Sequence, residues 1–195
     1  MTYDFMENIM HLVLDLETLG TDHNSVIASI GAVLVCPEEL GIVNTFYQSV
    51  NIQSCLDRGL TVTGSTINFW LKQNPDVISE TFKDKSGTRS LADSISRFYD
   101  FLRQNVPNLG NLKVWGNGSD FDNVVICNAF KAHQLETPWP FYNNRCLRTL
   151  KNQYSFLKVS DPILKHHALH DAIHEAELLI KIIKYQKENG HPISQ

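Results

Sequence analysis

The sequence predicts an α/β domain, a mixed β-sheet with helices packed against it. Two observations carry that expectation. Three β-rich segments come first, separated only by short turns, as in an antiparallel meander. After them the hydrophobic spacing switches between helix and strand, the pattern of a sheet covered by helices. At 195 residues the chain has length for a single domain, residues 1–195, with one sizeable core. No repeat, low-complexity tract or linker divides it.

His11 to Leu16 is short, apolar and weakly alternating, which makes it a buried strand for the sheet centre. Val26 to Cys36 is rich in β-branched residues and is stopped by Pro37. Thr45 to Val50 supplies the third strand, with turns at Thr21 to Asn24 and Pro37 to Gly41. Ser65 is placed to cap a helix running through Trp70, and Asn74-Pro75-Asp76 breaks the chain before another short helix. Between Thr88 and Gln104, apolar residues at 91, 95, 98, 101 and 102 have helical spacing. Lys113 to Gly116 forms a short strand that opens onto a glycine turn. A helix from Ser119 to His133, a strand at Phe141 to Cys146 and an amphipathic helix from Ala168 to Lys187 complete the order.

Composition excludes several classes. No apolar run is long enough to span a membrane, and the first ten residues carry acids where a secretory signal carries basic ones. Cys36, Cys55, Cys127 and Cys146 form no Cys-x-x-Cys pair, and the apolar surroundings of most of them suit reduced thiols in a cytoplasmic protein. A net charge of −4 argues against a phosphate-binding partner, unless divalent cations offset a group of carboxylates and supply the positive potential themselves.

Such a group is present. Asp15 and Glu17 are two apart in a strand, so both side chains leave the same face. Unpaired carboxylates in a central strand are costly, and a bound metal removes that cost. Asp122 follows the glycine-flanked turn Trp115 to Ser119 and falls in a helical first turn, where Asp120 competes for the same role. His166 and Asp171 lie at the entry to the last helix. Imidazole is suited to general-base chemistry. His166, His170 and His174, spaced by four, are an alternative zinc-binding set.

Taken together, these segments resemble the DEDDh exonucleases. The motifs occur in order: Asp-x-Glu-Thr at Asp15 to Thr18, Asn-x-x-x-Phe-Asp at Asn117 to Asp122, and His-x-Ala-x-x-Asp-Ala at His166 to Ala172. Their register selects Asp122 over Asp120, and His166 over its neighbours. Further stretches are similar to the exodeoxyribonuclease VIII-like group, which includes phage exonucleases and 3′–5′ exoribonucleases: Ile27 to Gly31, Ser65 to Trp70, Val114 to Gly118 and Arg148-Thr149. The chain departs from that group at Phe69, where a second tryptophan is frequent, and at Cys146, where an aspartate commonly stands.

The resemblance implies a ribonuclease H-like, five-stranded mixed sheet, a three-stranded antiparallel meander plus two parallel strands, flanked by helices. It implies a 3′–5′ exonuclease releasing nucleoside 5′-monophosphates from DNA or RNA with two Mg2+ or Mn2+ ions. Asp15, Glu17, Asp122 and Asp171 would hold the ions, and His166 would activate water. Thr18, Leu19, Gly20, Trp70, Asn117 and His166 would meet the terminal nucleotide, and Trp70, with Phe69 beside it, is placed either to stack on a base or simply to pack its helix. The partner is the 3′ end of a nucleic acid. A homodimer is common in the superfamily, although no exposed apolar stripe in this sequence points to one. A decayed fold that only binds nucleic-acid ends is the alternative, disfavoured because all five catalytic positions are filled.

Overall fold

A computed structural model describes residues 9–82 and 87–191. Residues 1–8, most of the stretch read above for a secretory signal, lie outside the described residues. Five strands form one sheet in the order β3-β2-β1-β4-β5. Strand β1 (His11–Thr18) is central, paired antiparallel to β2 (Ile27–Cys36), which pairs antiparallel to β3 (Gly41–Ser49). On its other side β1 runs parallel to β4 (Lys113–Gly116), and β4 runs parallel to β5 (Asn144–Cys146). The mixed sheet expected from the sequence is present, with the meander on one side and the parallel strands on the other.

Alternation along β1 sorts its side chains between two layers. Leu12, Leu14 and Leu16 enter a core with α4 (Leu91–Asn105) and α5 (Asp122–Ala132), whose Ile95, Phe98, Ile126 and Phe130 are buried there. Val13 enters the opposite core, under α6 (Leu147–Gln153) and α7 (Ala168–Glu188). Asp15 and Glu17 share the parity of Val13 and so face the α7 layer. Helix α7 lays Ala168, Ala172 and Ala176 against the sheet first and Leu179, Ile182 and Ile183 later. The small residues let its N-terminal half lie close to the strands.

The closest approach is at Gly31, which pairs with Asp15 across the β1–β2 ladder. A Cβ there would run into the backbone of Ala168 and Leu169. Glycine at 31 thus seats the first turn of α7 beside the acidic end of β1.

Several boundaries differ from the sequence expectation. β3 starts at Gly41, because pairing with Cys36 continues along an exposed edge that shows no burial pattern. The helix through Trp70 is α2 (Gly64–Trp70), and its cap position is Thr63, not Ser65. α5 begins at Asp122 after a turn at Gly118 to Phe121, not at Ser119. Phe141 to Asn143 is a single 3-10 turn that precedes a strand of three residues. Two short helices, α1 (Ile52–Leu56) and α6, are too brief to leave a periodic signal. All four cysteines are free, as expected, with Cys36 and Cys55 buried. Among the described residues, no helix is long and apolar enough to cross a membrane.

One buried group gives the fold a pH dependence. His11 is 2% exposed, and its Nδ1 accepts the Trp115 indole N–H at 3.2 Å. Burial, then the charges of Lys113 and Arg145, push the imidazole down from 6.5 to about 4. A histidine with a depressed folded pKa contributes stability that is complete above its unfolded pKa. That contribution is lost as pH falls from 6.5 toward 4. The full effect is about 3 kcal/mol. Urea midpoints at pH 7 and pH 4.5 should therefore fall further in the wild type than in His11→Phe; identical pH dependence in both would rule out His11 as the source.

Candidate active site

The site sits where β1 and β4 part. Their pairing ends at Val13 and Trp115, so the carboxyl end of β1 has no strand neighbour on that side. The Leu16 N–H there is bonded by Asp122 Oδ1 at 3.1 Å. Gly116 makes this return possible, since a Cβ at 116 would crowd Asp122 and Asn123. Asp122, 6% exposed, is brought to β1 by a turn, a glycine and one backbone hydrogen bond. Asp120 is exposed and does not take this place.

From the other side comes the entry to α7. His166 has φ 63°, a left-handed conformation that few non-glycine residues adopt. Its amide donates to Asp171 Oδ2 at 2.7 Å, closing the turn. Beyond it His167 stacks between Tyr47, at 4.6 Å, and His170, at 4.4 Å. Those contacts separate the crowded histidines: His167 and His170 join the stack, and His174 Nδ1 lies 2.8 Å from the Ser160 carbonyl. His174 is felt by Asp171 through charge alone, whereas His166 comes within ligand distance of the acids. Glu17, His166 and Asp171 each offer a ligand atom within 4.8 Å of the others. Neither His170 nor His174 joins such a group among the described residues, so the zinc set read from their spacing is not assembled.

Electrostatics bind Asp15 and Asp122 to the same cluster. Asp15 is raised well above the usual carboxylate range by burial and then by Asp122, Glu17, Glu175 and Asp171. Glu17 is pushed up to about 8 by burial, Asp171 and Asp122. Asp122 rises to about 6 through burial, held back by the Leu16 N–H and by Arg148. Asp171 is raised by burial, against the His166 amide bond. Carboxylates that repel each other this strongly fit a site for divalent cations, and oxygen donors suit hard ions.

Glu175, one turn beyond Asp171 on α7, was missed by the sequence reading. It is 7% exposed and is pushed to about 8 by burial and Asp122, with Lys151 and the Asn117 amide pulling it down. Its one sequence signal was the four-residue spacing from Asp171. Arg148 of α6 appeared in the resemblance without a role; its Nη2 donates to the Asn117 carbonyl at 2.5 Å. Cys146, the departure from aspartate, lies at the start of α6. Burial raises its thiol, but hydrogen bonds involving Thr149, Ser119 and Arg148 outweigh burial and bring it down to about 7.

A cleft of about 400 Å³ opens beside Glu17, walled by Thr18, Gly20, Thr66, Phe69 and Phe121. The residues expected to meet substrate divide here. Thr18 and Gly20 line the cleft, and the Thr18 hydroxyl donates to the Gly20 carbonyl at 2.7 Å. Leu19 points into the core, and its backbone bonds Val26 and Thr63. Asn117 turns its side chain to Glu175. Trp70 also lines the cleft, but of its two expected roles it takes that of packing: the indole is 5% exposed and donates to the Thr18 carbonyl at 2.8 Å, which makes it a wall. Phe69, 41% exposed and edge-on to the His166 ring at 5.1 Å, is the aromatic surface on offer.

The family model described as the 3′-5′ exoribonuclease Rv2179c-like domain matches residues 10–183. Comparison with curated protein sequences gives no match. Among solved structures, the nuclease domain of 3′hExo, a DEDDh family member bound to rAMP, is similar with TM-score 0.59 and 14% identity, over 97% of this chain and 98% of that one. A full-length 3′-exonuclease gives TM-score 0.58 at 14% identity, over 95% and 84%. E. coli exonuclease I in complex with a dT13 oligonucleotide gives TM-score 0.63 at 12% identity, over 93% of this chain and 42% of that one. At these identities the likeness is one of fold, and it bears out the ribonuclease H-like, five-stranded sheet.

Proposed function

Given that the chain belongs to the family of the 3′-5′ exoribonuclease Rv2179c-like domain, we propose that it shortens RNA from the 3′ end, releasing nucleoside 5′-monophosphates. Membership makes the protein a 3′–5′ exonuclease, and its DEDDh neighbours imply dependence on divalent metal. RNA as the substrate is supported by the family's description. The observation that carries the reading is the convergence of Asp15, Glu17, Asp122, Asp171 and His166 at the carboxyl end of β1.

In this reading residues 1–195 act as one exonuclease domain in the cytoplasm, and Asp15, Glu17, Asp122 and Asp171 would hold two Mg2+ or Mn2+ ions. The ions would supply positive charge to the scissile phosphate and the departing 3′ oxygen. His166 accepts the proton of the water whose oxygen forms the new bond to phosphorus while the P–O3′ bond breaks. Asp171 fixes His166 through its backbone amide, so one residue serves both charge and positioning. The terminal base enters the cleft against Phe69, and Thr18 and Gly20 border the sugar. Arg148, exposed beside Asp122, is placed to meet the next phosphate.

Matched 5′-labelled single-stranded RNA, single-stranded DNA and duplex DNA, incubated with Mg2+, Mn2+ or EDTA, test this. The expected result is a ladder shortening from the 3′ end of RNA with either metal and none in EDTA. Faster shortening of DNA would replace the substrate assignment. Binding without any shortening would favour an end-binding protein.

A further inference from the structure

Glu175 is a buried carboxyl group that the proposed cation-binding set leaves unused. It lies one turn beyond Asp171 and interacts through space with Asp15, Asp122 and Asp171. Its side chain is hydrogen-bonded to Asn117. Its Oε2 is buried and has no hydrogen-bond partner among the described residues, and the same holds for Asn117 Oδ1. Buried acceptors are nearly always satisfied by protein or water. Two orphaned acceptors on bonded neighbours, with no donor to answer either, have the polarity of a surface facing a hydrated cation.

We infer that Glu175 and Asn117 form an outer rank of acceptors that holds the water shell of a cation between Asp15 and Asp122. Glu175 is on this account a positioning residue, tying the β4–α5 turn to α7 and fixing waters that the four inner acids do not reach. The inference rests on the metal-dependent reading above. It explains why a carboxylate is kept in a place where three others already repel it.

Mn2+ titration by calorimetry, on the full chain without nucleic acid, separates the possibilities. Glu175→Gln keeps the size of the side chain and its capacity to accept from Asn117, but removes the charge. It should bind Mn2+ roughly 10–100-fold more weakly at one of the sites, while its thermal midpoint in EDTA is no lower than wild type. Asn117→Ala, which removes the other acceptor, should weaken Mn2+ in the same direction and provides the measurement if the first variant does not fold. Wild-type Mn2+ affinity in whichever variants fold overturns the inference. A wild-type protein that binds no Mn2+ overturns the metal-dependent reading itself.

Discussion

Asp171→Asn should lower mononucleotide release by on the order of 10³-fold. A metal site contributes several kcal/mol to stabilising transition-state charge, and each 1.36 kcal/mol is a factor of about ten in rate. Asparagine still offers an oxygen to the His166 amide, so the turn at His166 should persist and the fold with it. Loss of the charge also relieves repulsion within the cluster, and the metal-free variant should unfold at a temperature no lower than wild type. Asp15→Asn should behave alike, because Asp15 has carboxylates from β1, α5 and α7 around it. Rates with 3′-labelled RNA, read beside circular dichroism of the same samples, check both expectations. Persistent wild-type cleavage in either purified variant would remove these acids from the chemistry.

Gly31→Ala is the second large effect, and it acts without touching a carboxylate. The added methyl group meets the Ala168 and Leu169 backbone, which has no rotamer through which to give way. Overpacking of this kind costs about 1–3 kcal/mol, and for a domain of this size the thermal midpoint should drop by roughly 2–12 °C. Activity should suffer more, because Asp171 and His166 are carried on the displaced turn. A misplacement of about 1 Å can cost on the order of 10²-fold in rate. Kinetics at a temperature where the variant is fully folded distinguish the two contributions: a rate within twofold of wild type would show that α7 is not seated through Gly31.

The sheet and the shared face of Asp15 and Glu17 are legible in the sequence because they depend on local rules, whereas Asp122 and His166 are separated from Asp120 and the neighbouring histidines only by the resemblance. Strand parity put Asp15 and Glu17 on one face, and the Pro37 stop, the helical spacing around Phe98 and the alanine-led start of α7 all read directly. What failed were features decided by tertiary contact. Trp70 carries the composition of a stacking residue, and only the Thr18 carbonyl across the core shows that its indole is already engaged. Leu19 directly follows β1 but answers to the hydrophobic layer beneath it. Glu175 was hidden because a glutamate in an amphipathic helix is expected on the outer face, and its burial follows from the close seating of α7. Helices of five and seven residues, such as α1 and α6, complete too few turns to show a period.

With His166 as the base proposed above, the ring stack of Tyr47, His167 and His170 has a catalytic corollary. It clamps the chain immediately after His166, and the amide of His166 is latched by Asp171. A side chain on an unusual backbone conformation, secured at both ends, needs little reorganisation when a nucleotide arrives. The entropy of ordering the base is thereby met while the polypeptide folds, and substrate binding energy is left free for aligning the phosphate.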